Sequence, residues 1–159
     1  MPEAVAYAGI YMINNKDNSI ERSVFVDILN SVDGGYGNEH GVYIVHSTNN
    51  QVTGSTFSNV GGDPIRVRDA ANYNTISGNT FTDTGSFGYI GDWRCVNSTR
   101  YTCPDGDENL SWHNSFKDNA LKGPHPWHYA GFKARYCYDL QGWCTSQRIS
   151  GLAAATDGR

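Results

Sequence analysis

The chain has 159 residues, among them 18 Gly and 10 Tyr, with 18% charged residues and a formal net charge of −4. That is one domain's length, and runs of Ala, Leu, Glu and Lys are missing while Asn, Ser, Thr and Gly abound, which excludes a helical bundle and favours strands and turns. The acidic balance offers no general field for nucleic acid or an anionic membrane, so neither is expected as a partner.

From the start, "MPEAVAYAGIYM" lacks the basic region and apolar run of a signal peptide, and no stretch reaches the roughly 18 apolar residues of a membrane span. The first strand is "GIYMIN" (9–14), where alternation puts Ile10 and Met12 on one face. "GVYIVH" (41–46) repeats the pattern with Val42 and Ile44, and "PIRVRD" (64–69) with Ile65 and Val67. "GYIGDW" (88–93) is a fourth copy, placed with Tyr89 and Gly91 inward because Phe81 to Tyr89 matches the eight-residue step from Phe57 to Ile65.

Each of these strands precedes a second kind of block. "NSIERSVFVD" (18–27), "NQVTGSTFSN" (50–59), "NTISGNTFTD" (74–83) and "NLSWHNSFKD" (109–118) align with Asn18, Asn50, Asn74 and Asn109 in the first column and Phe25, Phe57, Phe81 and Phe116 in the eighth. Ile20, Val52 and Ile76 share the third column, which Ser111 breaks. The Asn intervals of 32, 24 and 35 read as a bare solenoid turn of 24 with insertions at 29–41 and 93–109. A period in the twenties built from short β segments excludes helical repeats, and the Leu-rich repeat signature is missing. A β-helix remains, in which like residues lie over one another about 4.8 Å apart, Phe forms an interior stack and Asn an amide ladder at a bend.

With "ISGNTFTDTG" at its centre, the chain resembles the right-handed parallel β-helix proteins of the pectate-lyase-like superfamily, of the secreted bacterial and fungal type, over roughly residues 9–119. The fold expected is all-β: a right-handed single-stranded parallel β-helix of about four coils over 1–119. A C-terminal cap and tail follow over 120–159, where "RYCYDLQGWC" covers the last coil and the terminal decapeptide is a disordered tail. The first recognisable strand begins at Gly9, so preceding coils or another chain are expected to cover the N-terminal edge.

The resemblance implies a groove for polysaccharide on the outer face of the first sheet. The outward columns there are Tyr11, Tyr43, Arg66 and Ile90, then Ile13, Val45, Arg68 and Asp92, with His46, Asp69 and Trp93 at strand ends. In the functional reading Arg66 and Arg68 bind uronate carboxylates and stabilise the enolate-like charge of a β-elimination. His46, Tyr43 or an Arg is the candidate base, and Tyr11, Tyr43, Asp69, Asp92 and Trp93 contact an acidic glycan. In the competing reading the same residues are a solvated salt-bridge ladder on a non-catalytic, structural or carbohydrate-binding fragment of a larger secreted protein. The paired carboxylates of the inverting hydrolases are missing. Calcium is the one cofactor considered, through Asp63, Asp69 and Asp92, whose spacing is not diagnostic. His113, His125 and His128 are a second metal option, weighed against an aromatic loop because prolines prevent a regular helix there.

Cys95, Cys103, Cys137 and Cys144 form two pairs, eight and seven residues apart, without the CxxC spacing of zinc. They point to disulfides in an oxidising, extracellular compartment. Local pairing is the natural choice, but four cysteines allow three connectivities, and spacing does not select one. Asn97 and Asn109 both fit the N-glycosylation pattern, and Asn109 is expected to be hidden in the ladder.

Overall fold

The computed structural model describes residues 8–29, 39–84, 90–92, 95, 97, 99, 102–122, 132–134 and 148–150. The strands run in chain order as β1 (Ala8–Ile13), β2 (Ser19–Glu21) and β3 (Val24–Ile28), then β4 (His40–Val45), β5 (Gln51–Thr53) and β6 (Thr56–Val60). They continue as β7 (Ile65–Arg68), β8 (Thr75–Ser77) and β9 (Thr80–Thr82), then β10 (Ile90–Asp92), β11 (Ser115–Lys117) and β12 (Ala120–Lys122), and finally β13 (Phe132–Ala134) and β14 (Arg148–Ser150). Three parallel sheets result, ordered β1-β4-β7-β10-β13, β2-β5-β8-β11-β14 and β3-β6-β9-β12. Each strand pairs with its equivalent one coil away, which is the pairing of a parallel β-helix. Strands β12, β13 and β14 lie within 120–159, the stretch assigned to a cap and tail, and each extends one of the sheets.

The core is the stack of inward columns. Val42, Ile44, Val52, Phe57, Ile65, Val67, Ile76, Phe81 and Phe116 are fully enclosed. Phe25, Phe57 and Phe81 pile ring on ring, with centroids 4.6 and 5.1 Å apart. Burial of each ring contributes about 1.5–3 kcal/mol, and each ring pair about 0.5–1.5 kcal/mol more. Gly41 makes room for this stack, since a Cβ there would meet the Phe57 ring at 2.7 Å.

Phe116 departs from the expected register. It pairs with Ile76 in the third column, and the position over Phe81 belongs to Leu121. The ladder partner of Asn74 is accordingly Asn114, 40 residues on, and Asn109 is exposed, with its amide on Asp69 Oδ1 at 2.8 Å. The cause is an internal pseudo-repeat. Each block holds two polar-x-apolar units five residues apart, as in Asn74-Thr-Ile and Asn79-Thr-Phe, so a slip of five keeps Asn on polar columns and apolar residues inside.

The ladder is therefore double. In one column Asn50 Oδ1 accepts the Asn18 amide N–H (3.0 Å), Asn74 Oδ1 that of Asn50 (2.9 Å) and Asn114 Oδ1 that of Asn74 (2.9 Å). In the other, Ser55, Asn79 and Asn119 accept the N–H of Ser23, Ser55 and Asn79 in turn. Buried amides at bends cannot reach a strand carbonyl, and side-chain oxygens stacked along the axis supply the acceptors. Corners are turned by left-handed residues, also in columns: Asn14, His46 and Asp69; Asp17, Asn49, Tyr73 and His113; Arg22, Gly54, Gly78 and Asp118; Asp27, Asn59 and Asp83. Asn, Asp and Gly tolerate that conformation best, which explains much of the composition.

Strand β10 also departs from the expected register, by one residue. Ile90 pairs with Ile65, Gly91 with Arg66 and Asp92 with Val67. Asp92 thus sits in the Val67 row instead of beside Arg68. Counting from Phe81 had placed Tyr89 opposite Ile65, but the step from Phe81 to Ile90 is nine residues where that from Phe57 to Ile65 is eight, which moves every position by one.

Candidate functional site

The first sheet aligns Tyr11, Tyr43 and Arg66 in one row and Ile13, Val45 and Arg68 in the next. Alternation from the core positions dictates this. The expected open aromatic and cationic face is nonetheless largely closed. Tyr43 is 5% exposed and Val45 is buried as well, whereas Tyr11 is 52% exposed. The two tyrosine rings lie 5.2 Å apart, so Tyr11 rests on an enclosed ring.

Both guanidinium groups are engaged. Arg68 donates from Nε to Glu108 Oε2 (2.7 Å), from Nη2 to Glu108 Oε1 and from Nη1 to the Tyr43 hydroxyl (2.7 Å). Burial works against the Arg68 charge, but the Glu108 and Tyr43 hydrogen bonds outweigh it and raise its pKa. Arg66 donates from Nε (3.0 Å) and Nη2 to Asp63 Oδ2, in an ion pair whose side chains are 12% and 3% exposed. Burial raises the Tyr43 pKa despite the opposing Arg68 hydrogen bond, so its phenol is held protonated at neutral pH.

Two members of this cluster, His40 and Glu108, were not among the residues expected from sequence. His40 is 2% exposed, its Nδ1 lies 2.7 Å from the Asp63 carbonyl, and its ring lies 5.1 Å from that of Tyr43. Burial first, then the Arg66 charge, lower its pKa to about 3, so the imidazole is neutral and Nδ1 carries the proton donated to that carbonyl. Its alternation phase, shared with Val42 and Ile44, was the available clue. Glu108 lay in an insertion, where spacing carries no register. Its carboxylate also accepts the Cys95 amide at 2.7 Å, and Cys95 is bonded to Cys103, so the anion on Arg68 is anchored to the disulfide that precedes it in the chain.

At the corner after the sheet, His46 Nε2 lies 3.0 Å from Asp69 Oδ2. The imidazole is 40% exposed and Asp69 Oδ1 is occupied by the Asn109 amide, so the carboxylate is fixed while the ring reaches solvent. A carboxylate-oriented imidazole is the arrangement a general base requires. Of the Asp residues considered for calcium, Asp63 faces Arg66 and Asp69 faces His46. Among the described residues no three His, Cys, Asp or Glu side chains converge as metal ligands. Trp93, Cys137, Cys144, His125 and His128 lie outside the described residues.

No curated protein and no solved structure matched the chain. The family model described as "Right handed beta helix region" matches residues 4–135, most of the chain. The stacked parallel sheets and this match agree: the protein belongs to the right-handed β-helix family.

Proposed function

We propose that this is a secreted, non-catalytic β-helix that binds polysaccharide on the outer face of its first sheet. The observation that carries the reading is the relay Tyr11–Tyr43–Arg68–Glu108: an exposed ring seated on an enclosed one, whose hydroxyl is held by an arginine already neutralised from within. Such a platform is rigid before any ligand arrives, and an aromatic face without net charge suits the apolar face of a sugar ring. With Asp63 and Glu108 cancelling Arg66 and Arg68, the cations that uronate recognition and β-elimination would need are occupied. The superfamily likeness to pectate lyases thus supports ancestry and surface use more than turnover. The Cys95–Cys103 disulfide supports an oxidising compartment.

A second reading, a lyase on an acidic glycan, is favoured by the His46–Asp69 pair, which could draw a proton alpha to a carboxylate if Arg68 exchanged Glu108 for substrate. One experiment separates the two. Pectate, alginate and glycosaminoglycans are incubated with the protein, with and without calcium, and unsaturated-uronate absorbance is followed beside retention in glycan-containing native gels. Retention lost in Tyr11→Ala without any absorbance rise is the expected result. Turnover abolished by His46→Ala would establish the lyase, and the absence of both retention and turnover would remove polysaccharide altogether.

A further inference from the structure

The corner column Asp17, Asn49, Tyr73 and His113 contains an anomaly. All four have left-handed backbone, with φ of 59°, 55°, 57° and 57°. Asp and Asn accept this readily, but for a ring as bulky as tyrosine it is a costly place. Burial does not compensate, because Tyr73 is 60% exposed. An unfavoured residue type at an exposed corner suggests use at the surface.

The neighbours define that use. On one side the Tyr73 ring stacks on His113, with centroids 5.0 Å apart and planes 22° from parallel. Trp112, tilted against His113 at 6.4 Å, adjoins this pair, and the backbone beneath is fixed by Tyr73 N–H to the Trp112 carbonyl (3.0 Å) and Trp112 N–H to Asn72 Oδ1 (2.6 Å). Asn49 lies one coil away on the side of Tyr73 opposite His113, with its backbone N–H donating to the Asn72 carbonyl (3.1 Å). Asn49 extends its amide away from Tyr73, to Asp17 Oδ1 at 2.6 Å. Tyr73 therefore projects as a shelf beyond a shorter amide and carboxylate pair. No described residue bonds Asn49 Oδ1 or Asp17 Oδ2.

We propose that this corner is a binding site for a neutral pyranose of a polysaccharide, with the sugar's apolar face on the free side of the Tyr73 ring and its hydroxyls donating to Asn49 Oδ1 and Asp17 Oδ2. An aromatic face beside fixed hydrogen-bond acceptors is the chemistry such a sugar needs. The Asp17 carboxylate repels uronates, so the site selects neutral units. It lies on a different corner from the Tyr11 face and stands without that face's reading.

Cellohexaose and mannohexaose, with trigalacturonate as the charged control, are titrated into the full chain by calorimetry and saturation-transfer NMR. The informative variant is Tyr73→Asn, which suits the left-handed backbone. It is expected to raise Tm while weakening neutral oligosaccharide binding at least tenfold. Asp17→Ala is expected to weaken it several-fold and to relax the exclusion of trigalacturonate. A purely structural role for the ring predicts the opposite, a lower Tm and unchanged binding. The proposal is overturned if neither neutral oligosaccharide binds the wild type, or if Tyr73→Asn binds as tightly. Tyr11→Ala reports the sheet face separately: loss of all binding in that variant alone would overturn the corner site and leave the sheet-face reading standing.

Discussion

Glu108 accepts two hydrogen bonds from the Arg68 guanidinium and a third from the amide of Cys95, 13 residues earlier in the chain. One carboxylate therefore ties the solenoid strand that carries Arg68 to the Cys95–Cys103 disulfide. Arg68 is 26% exposed on its side chain and Glu108 16%, so neither is fully compensated by water. Replacing Glu108 by Gln should cost about 1–3 kcal/mol, because a half-buried guanidinium loses its counter-charge while shape is kept. Urea denaturation measures this directly. A loss below 0.5 kcal/mol would show the pair to be no stronger than a surface ion pair.

The disulfide should act through the same carboxylate. Cys95 and Cys103 are eight residues apart, and a closed loop of that size is worth about 2–3 kcal/mol in chain entropy. Cys95→Ser with Cys103→Ser is expected to lower stability by that amount. It should also make Glu108→Gln less costly, since the loop no longer holds the carboxylate in place. A double-mutant cycle by denaturant melts reads this coupling. Strict additivity would separate the disulfide from the Arg68 contact.

His40 predicts how stability responds to acid. Its folded pKa is lowered to about 3 from the ordinary 6.5, so between those values the unfolded chain takes up a proton that the folded chain refuses. Stability from this residue is fully present above about pH 6.5 and declines as pH falls toward 3. The slope is at most about 1.4 kcal/mol per pH unit, a total on the order of a few kcal/mol. His40→Gln should flatten that decline in chemical denaturation between pH 7 and 4. An unchanged slope would assign the acid sensitivity to other groups.

The polar ladder can be tested with three Ala variants. Asn74 Oδ1 accepts the Asn50 amide N–H and Nδ2 (2.9 and 3.1 Å), while Asn74 Nδ2 donates to the Ser47 carbonyl (3.1 Å) and to Asn114 Oδ1 (3.0 Å). Asn74→Ala is expected to cost about 2–4 kcal/mol, because buried donors and acceptors on both neighbouring rungs lose partners. Asn114→Ala should cost a similar amount, and Asn109→Ala less than about 1 kcal/mol. Thermal melts that ranked Asn109 above Asn114 would restore the register in which Asn109 aligns with Asn74.

Much of the solenoid was legible from the chain because its periodic columns are chemical. Inward Val42, Ile44, Ile65 and Val67 follow from alternation, and Phe25, Phe57 and Phe81 from repetition. The two register errors occurred where the spacing departs from the bare coil, by one residue before β10 and by the 93–109 insertion before Phe116. In both places local pattern allows more than one alignment, and only pairing to the neighbouring coil removes the ambiguity. Of the expected site residues, Tyr11 and His46 reach solvent, while Tyr43 and Arg66 lie enclosed.

By itself the sequence determined that this chain stacks short parallel strands around an aromatic and aliphatic interior with Asn at its bends, since burial and amide pairing act identically on every rung. The tertiary structure alone decided which charges meet. Arg68 finds Glu108 across 40 residues through a loop of no fixed period. Such contacts depend on how insertions fold back over the sheet, and no column of the repeat encodes that path.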